Sequence, residues 1–268
     1  IGYNGGEIYD CETGQVLYQI GLKLDQVKHV MDADQWFEGL MASKHHLGVS
    51  TIAISQIHEE IRDMLAIAAS NVSDSFKAME QGPGENGIQE IADREEEIDL
   101  SNVRLSKKIS KVLVLDQTPQ DIEALNKMYS ILGNIERIGD HAMNLAEYAQ
   151  TIQEKNLNFS DYAKNEFKVM DESCALGMEL LRKAAAGDSD FTLEKIQAIE
   201  QKIDDITDNF RQNQIDRMRE GHCNVESSIL YSEMLTDYER IGDHMLNIGE
   251  AYDVIQWNSD KVAALAEE

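Results

Sequence analysis

The hexapeptide ERIGDH occurs twice in this sequence, starting at Glu136 and again at Glu239. In each copy an aspartate, Asp140 or Asp243, follows the glutamate by one helical turn. Two carboxylates at this spacing repel each other by roughly 0.2–0.5 kcal/mol in an isolated helix, and a mid-helix glycine costs about 1 kcal/mol relative to alanine. A bound cation reverses the repulsion, because carboxylates are ligands for hard divalent ions. The glycine leaves room for a neighbouring helix or a ligand. The motif therefore predicts a metal site.

A second acidic motif precedes each copy of the hexapeptide. Glu95 and Asp99 stand four residues apart, and so do Glu200 and Asp204, 105 residues later. The hexapeptide itself returns after 103 residues. Two motifs that recur in the same order and at nearly the same spacing indicate two copies of one unit. We therefore expect one metal site in each copy.

The predicted metal ligands are the carboxylates of these four motifs. They are Glu95, Asp99, Glu136 and Asp140 in the first copy and Glu200, Asp204, Glu239 and Asp243 in the second. Further candidates are Asp208, Asn144, Asn247, Glu147 and Glu250, which continue the acidic helix faces. Oxygen ligands suit magnesium, manganese, calcium and iron, and zinc also accepts carboxylates. The identity of the metal stays open.

Simpler interpretations compete with metal binding. A row of acidic residues on a helix is usually a solvated face, and Arg137 and Arg240 could pair with acids on an adjoining helix. The intact return of the motif weighs against both interpretations. His141 and His244 lie about 100° around the helix from the preceding aspartates, so hydrogen bonding at the surface or between helices is favoured over metal ligation for them.

Six long helices account for most of the chain. The first three are predicted at about 50–78, 88–115 and 119–154, and the next three end near 186, 220 and 256. Pro119 falls in the first turn of the third helix, where its missing N–H costs nothing. Apolar residues at helical spacing predict the core seams: Ile91, Ile98, Leu105, Ile109; Met128, Ile131, Ile135, Ile138, Ala142, Leu145, Ala149; Ile196, Ile199, Ile203, Phe210; Met234, Tyr238, Ile241, Met245, Ile248, Tyr252.

The predicted fold class is all-α, a tandem pair of three-helix bundles with a short N-terminal extension. The first bundle spans residues 48–156 and the second 157–258, followed by a tail at 259–268. In the extension, residues 1–47, the stretch EIYDCETGQVLYQI is compatible with a β-hairpin, and residues 25–46 have helical spacing.

The composition excludes several classes of function. With 50 acidic and 24 basic residues the formal net charge is −26, and such a surface repels nucleic acid and anionic lipid. Three distant cysteines form no disulfide framework. No apolar run approaches the roughly 20 residues of a membrane helix, and no signal peptide is visible. We expect a cytoplasmic chain, and the first residue, Ile1, favours a piece of a longer protein.

The four acidic motifs in this order resemble those of the PhoU family, and the resemblance covers about residues 48–256. The stretches HHLGVSTIAISQIHEEIRDM and REGHCNVESSILYSEMLTDYERIGDHMLNIGEAY are most similar to the PhoU-like C-terminal domain of bacterial Na⁺/phosphate cotransporter-related proteins. The resemblance implies a tandem pair of three-helix bundles, multinuclear metal clusters on their surface and a role in controlling phosphate uptake.

The first functional hypothesis is therefore a non-catalytic, metal-binding regulatory domain, the cytoplasmic part of a Na⁺/phosphate cotransporter-type protein at the inner face of the cell membrane. The alternative is a free-standing PhoU-type regulator that acts on a transporter and a sensor kinase. The implied partner is a membrane phosphate transporter domain, in cis or in trans, and homo-oligomers remain open.

Two hypotheses come from other classes. A ferritin-like di-iron enzyme requires Glu-x-x-His pairs inside the bundle, and no acidic residue of this chain has a histidine three positions later. That class is therefore disfavoured. A helical interaction module without metal is the remaining alternative, and metal analysis distinguishes it from the first hypothesis.

The two predicted sites differ at two equivalent positions. Val103 and Asn134 of the first copy correspond to Asp208 and Asp237 of the second. More carboxylates attract a cation more strongly. We therefore expect the second site to hold metal more tightly, or to hold more ions.

Overall fold

The computed structural model of this chain describes residues 2–4, 7–9, 16–19, 49–84, 86–115 and 117–266. Near the N-terminus a three-stranded antiparallel sheet has the order β1 (Gly2–Asn4), β2 (Glu7–Tyr9) and β3 (Val16–Gln19). The pair β2–β3 falls within the stretch considered for a hairpin. The helix expected at 25–46 lies outside the described residues.

Six long helices follow, as the apolar spacing predicts. They are α1 (Val49–Gln81), α2 (Gly87–Leu113), α3 (Pro119–Glu154), α4 (Asp161–Ala185), α5 (Leu193–Arg219) and α6 (Val225–Ala266). The last helix is longer than expected, because residues 257–266 contain neither the glycine nor the proline that would end it.

Local chemistry fixes several helix ends. The Thr118 hydroxyl accepts a hydrogen bond from the backbone N–H of Asp121 at 3.1 Å, and the Asp121 carboxylate accepts one from the backbone N–H of Thr118 at 3.4 Å. This reciprocal cap precedes Pro119 at the first helical position, as predicted. Gly187 and Gly221 follow α4 and α5 with φ of 68° and 74°, a backbone conformation that glycine adopts without strain.

The helices pack as two bundles of three. α1, α2 and α3 contact one another, as do α4, α5 and α6, and the two units meet along α3 and α6, with a smaller contact between α1 and α4. The predicted core seams are buried, apart from the half-buried Phe210. Within the part of the chain that the structure describes, no helix combines the length and apolarity needed to cross a membrane.

The close packing of α5 against α6 depends on Gly249. A Cβ added there would lie 2.7 Å from Cγ2 of Ile196, so we expect Gly249→Ala to lower the free energy of unfolding by about 1–3 kcal/mol, the usual cost of overpacking. Gly133→Ala in α3 is the matched control. A Cβ on Gly133 meets nothing within 4 Å, so this variant should gain up to about 1 kcal/mol from helix propensity. Urea denaturation measures both changes, and equal losses in the two variants would contradict this packing.

Candidate metal centres

The glycine of each ERIGDH motif faces a neighbouring helix. A Cβ on Gly139 of α3 would lie 3.2 Å from Cδ1 of Ile98 on α2. Gly242 of α6 has the same relation to Ile203 of α5, with a shortest distance of 3.3 Å. Of the two uses left open by the sequence, the glycines therefore serve helix packing. This close approach places the two acidic motifs of each unit side by side.

The first acidic cluster lies where α2 meets α3. Glu95, Asp99 and Asp140 each offer a carboxylate oxygen, and the three oxygens lie within 4.8 Å of one another. An ion that binds oxygens at 2.0–2.6 Å can bridge pairs up to about 4–5 Å apart. Glu136 lies outside this triad, but its charge contributes to raising the pKa of Glu95. Asp99 is exposed and the other three are half-buried, so the cluster sits at the rim of the bundle.

The second cluster repeats this arrangement between α5 and α6. Glu200, Asp204 and Asp243 bring three carboxylate oxygens within 4.8 Å of one another, and all three residues are half-buried. Glu239 lies outside the triad, although its charge raises the pKa of Asp204. Oδ1 of Asp204 is buried and has no hydrogen-bond partner among the residues that the structure describes. An unsatisfied buried carboxylate oxygen is costly, and a cation in the cluster would satisfy it. The residues present therefore fit a metal.

The electrostatics of both clusters disfavour the empty, fully ionised state. Partial burial, followed by the neighbouring carboxylates, raises the pKa of Glu95, Glu200 and Asp204. For Asp99 and Glu136, partial burial and the charge of Asp140 raise the pKa. A pKa raised by folding means that the associated stability is present when the carboxyl is protonated and is lost as the pH rises through the raised value. At neutral pH a bound cation can replace the missing protons.

Both arginines of the repeated motif pair within their own helix. Nη1 of Arg137 lies 3.2 Å from Asp140, and Nη1 of Arg240 lies 3.0 Å from Asp243. The competing interpretation, in which these arginines pair with acids on an adjoining helix, is wrong for these two contacts. Each arginine side chain is 59% exposed, and exposed ion pairs of this kind contribute little stability.

A third arginine, which the sequence analysis missed, enters the second cluster. Nη2 of Arg211 on α5 lies 2.6 Å from Oε2 of Glu239 on α6, and its Nη1 lies 3.7 Å from Asp208. The 105-residue offset assigns Ser106 as its counterpart in the first copy. The same comparison that paired Val103 with Asp208 could have found this difference, since the two positions are three residues further along the helices.

The histidines of the motif join the two bundles. Nδ1 of His141 lies 2.6 Å from Oδ1 of Asp237, which also accepts a hydrogen bond from Nδ2 of Asn144 at 3.1 Å. Nδ1 of His244 lies 2.9 Å from Oδ1 of Asn134. The two imidazoles stack with their centres 5.6 Å apart. The preference for hydrogen bonding between helices is thus confirmed for both histidines.

These contacts are reciprocal. His141 and Asn144 of the first unit meet Asp237 of the second, while His244 and Asn247 of the second meet Asn134 of the first. Equivalent residues that exchange partners in this way are the mark of a two-fold relation between the units.

The interface bears on further candidates from the sequence. The amide nitrogens of Asn144 and Asn247 donate to Asp237 and Asn134, and metal ligation by their amide oxygens stays a prediction. Asp237 itself is buried at this interface, so it adds no carboxylate to the second cluster. Asp208, although its charge raises the pKa of Asp204, is paired with the arginine described above. Of the two extra carboxylates that predicted a tighter second site, Asp237 is thus removed from the cluster and Asp208 is shared with an arginine.

The two remaining candidates differ in their electrostatic relation to the clusters. Glu250 is close enough for its charge to raise the pKa of Glu200. Glu147 is exposed, and its charge contributes to the raised pKa of its neighbour Tyr148. Glu250 therefore belongs to the surroundings of the second cluster, and nothing ties Glu147 to the first.

The sequence profile of the PhoU domain matches this chain twice, at residues 61–149 and 170–252, once in each bundle. The chain belongs to the PhoU family.

Two solved structures share the fold. PhoU from Pseudomonas aeruginosa has a TM-score of 0.69 and 18% identity, covering 75% of this chain and 96% of that chain. The phosphate transport system regulatory protein PhoU from Streptococcus pneumoniae has a TM-score of 0.65 and 15% identity, covering 76% and 94%. The predicted pair of PhoU-like bundles is thereby confirmed.

Curated relatives carry the same family name. The phosphate-specific transport system accessory protein PhoU homolog 1 of Thermotoga maritima is 21% identical over 198 residues, which cover 74% of this chain and 84% of that protein. The phosphate-specific transport system accessory protein PhoU homolog of Synechocystis sp. is 26% identical over 217 residues, covering 76% and 89%. This chain therefore spans most of the length of these PhoU proteins.

Proposed function

We propose that this PhoU-family protein is a regulator of phosphate uptake that binds metal ions at its two carboxylate clusters. Metal binding is supported above all by the second cluster, where three carboxylates converge and no described residue donates a hydrogen bond to the buried Oδ1 of Asp204. The first cluster repeats the same convergence. A solvated acidic face would not explain why carboxylates converge in the same way at equivalent places in both units.

The residues that would hold the ions are the two triads, Glu95, Asp99 and Asp140 in the first unit and Glu200, Asp204 and Asp243 in the second. The ion would supply positive charge that neutralises the carboxylates and links the two helices of each site. An all-oxygen donor set suits magnesium, manganese, calcium or iron, and suits zinc less well because zinc prefers nitrogen and sulfur ligands.

The proposed partner is a membrane phosphate transporter. The relatives named above are described as accessory proteins of phosphate-specific transport systems, which supports a regulator that acts on a transporter in trans. Action at the inner face of the cell membrane stays a prediction from the family resemblance. The same relatives favour the free-standing regulator over the cotransporter-type protein, which remains the alternative. A sensor kinase as second partner and a homo-oligomer stay predictions from the family resemblance.

A ferritin-like enzyme fits the site poorly. The carboxylates lie at the rim between two helices, exposed or half-buried, whereas that chemistry is built from side chains that project into the bundle core. We therefore assign no catalytic step to this protein.

Elemental analysis of the purified protein tests the metal, and phosphate uptake tests the regulation. We expect at least one bound ion per cluster in the natural chain. The Asp140→Asn/Asp243→Asn double variant, whose core is unchanged, should lose the ions of both clusters.

Uptake of labelled phosphate by a strain that lacks the gene should be deregulated, and expression of the natural chain should restore the regulation of uptake. A metal-free natural chain, or a deletion strain with normal uptake, would refute the corresponding half of the proposal.

A further inference from the structure

Arg211 supplies the second cluster with a positive charge of its own. Its guanidinium donates to Oε2 of Glu239 at 2.6 Å and to the hydroxyl of Thr236 at 3.4 Å, and lies 3.7 Å from Asp208. The Arg211 and Glu239 side chains are about one-third exposed. A charge-assisted hydrogen bond of this length, partly shielded from water, is among the stronger side-chain contacts.

The first cluster has no such contact among the residues that the structure describes. Ser106 occupies the equivalent position on α2, and its hydroxyl donates weakly to Asn102 at 3.4 Å on its own helix. In that described part, the cation within 4 Å of Glu136 is Arg137, at 3.9 Å, and Arg137 has its own counterpart, Arg240, in the second unit. The unmatched cation is therefore Arg211.

The consequence concerns the fourth carboxylate of each site. Glu136 and Glu239 both lie outside the triads of converging oxygens, so each must turn toward an ion to join its coordination. Glu136 can turn after losing one long, exposed ion pair. Glu239 can turn only by weakening or breaking the hydrogen bond that its Oε2 accepts from Arg211, and the guanidinium repels the approaching ion.

We propose that Arg211 is a built-in competitor for metal, so that the first cluster fills at a lower metal concentration than the second. The second cluster then responds to a higher range of metal concentration than the first. This inference rests on the proposed metal-binding function, and it reverses the order that the count of carboxylates alone predicts.

Two single-site chains make the test. Asp140→Asn leaves the second cluster intact, and Asp243→Asn leaves the first. Titration with MnCl₂, followed by calorimetry, gives the affinity of each remaining cluster. We expect the Asp140→Asn chain to bind Mn²⁺ more weakly. Adding Arg211→Ser to it should tighten binding by about tenfold, since a hydrogen bond between charged groups no longer has to be broken.

Two further variants control for charge and for folding. Arg219→Ser in the Asp140→Asn chain removes an equal charge from the same helix, where Arg219 pairs with Asp216 at 3.2 Å, and should change the affinity by less than about twofold because exposed charges are screened. Ser106→Arg in the Asp243→Asn chain places the competitor in the first cluster and should weaken Mn²⁺ binding there.

The outcomes separate this inference from the function on which it rests. Unchanged affinity after Arg211→Ser, or an equal gain after Arg219→Ser, would overturn the role of Arg211 while leaving the metal sites standing. A second cluster that binds Mn²⁺ more tightly than the first in the single-site chains would also overturn it. If neither single-site chain takes up Mn²⁺, the metal function itself fails and this inference fails with it.

Discussion

Millimolar MnCl₂ is expected to raise the melting temperature of the chelator-treated protein by about 10 °C, if the concentration of free Mn²⁺ is about 100 times the dissociation constant of each cluster. A ligand that binds only the folded state stabilises it by about 2.7 kcal/mol per site at that saturation. The gain adds to the relief of repulsion among carboxylates that folding brings together, such as Glu95, Asp99 and Asp140.

The control for this result is sodium chloride at the same ionic strength. With a formal net charge of −26, the protein gains stability from screening alone, so only the excess over NaCl reports specific sites. The Asp140→Asn/Asp243→Asn double variant should respond equally to both salts. A natural chain that also responds equally to MnCl₂ and NaCl would argue against specific metal sites.

The second large effect concerns Asp171, which is buried on α4 away from both clusters. Its Oδ1 accepts a hydrogen bond from the hydroxyl of Tyr238 at 2.6 Å. Burial raises the pKa of Asp171 to about 7, against the opposing effect of that hydrogen bond, and the charges of Glu80 and Glu172 add to the rise. Between the ordinary aspartate value, about 4, and this raised value, the folded state binds more protons than the unfolded state. Stability due to Asp171 is therefore lost as the pH rises through this window.

Asp171→Asn removes this pH dependence and keeps an acceptor for the tyrosine hydroxyl. We expect the stability of the variant, relative to the natural chain, to grow by about 2–3 kcal/mol between pH 5 and pH 8. Urea denaturation in the presence of chelator measures the difference at each pH. Glu172→Gln removes an equal charge from the adjacent exposed position. It removes only the small contribution of that charge to the raised pKa of Asp171, so it should show a much smaller growth. A difference for Asp171→Asn that is constant with pH would contradict the raised pKa.

The pattern of helices and the duplication of the unit were predictable from the sequence. The first depends on residues within a few turns of one another, and the second on the exact repetition of motifs. The seam of α3, from Met128 to Ala149, and that of α6, from Met234 to Tyr252, are buried as their spacing predicts. Apolar side chains at intervals of three and four residues share one face of a helix and need a partner surface. The same regularity placed Glu95 beside Asp140, because residues that border the apolar faces of two packed helices lie next to each other.

Side chains that change partners between the units were not predictable in this way. Asp237 follows the acidic pattern of the second copy, yet it meets His141, which is 96 residues away on the other bundle. Periodicity tells which face of a helix is apolar, but it does not tell which polar residue at the edge of that face meets which other. That choice follows from the angle and register at which α3 and α6 pack.

The sequence by itself determined the six helices, their apolar faces and the duplicated carboxylate pairs, because each depends on residues within a few turns of one another or on exact repetition. Only the tertiary structure decided which carboxylates converge. It separated Glu136 and Glu239 from the triads, and it brought Arg211 from α5 onto Glu239 of α6. The physical reason is that a long charged side chain selects its partner by distance and burial in the packed state, and neither quantity exists in the chain before the helices meet.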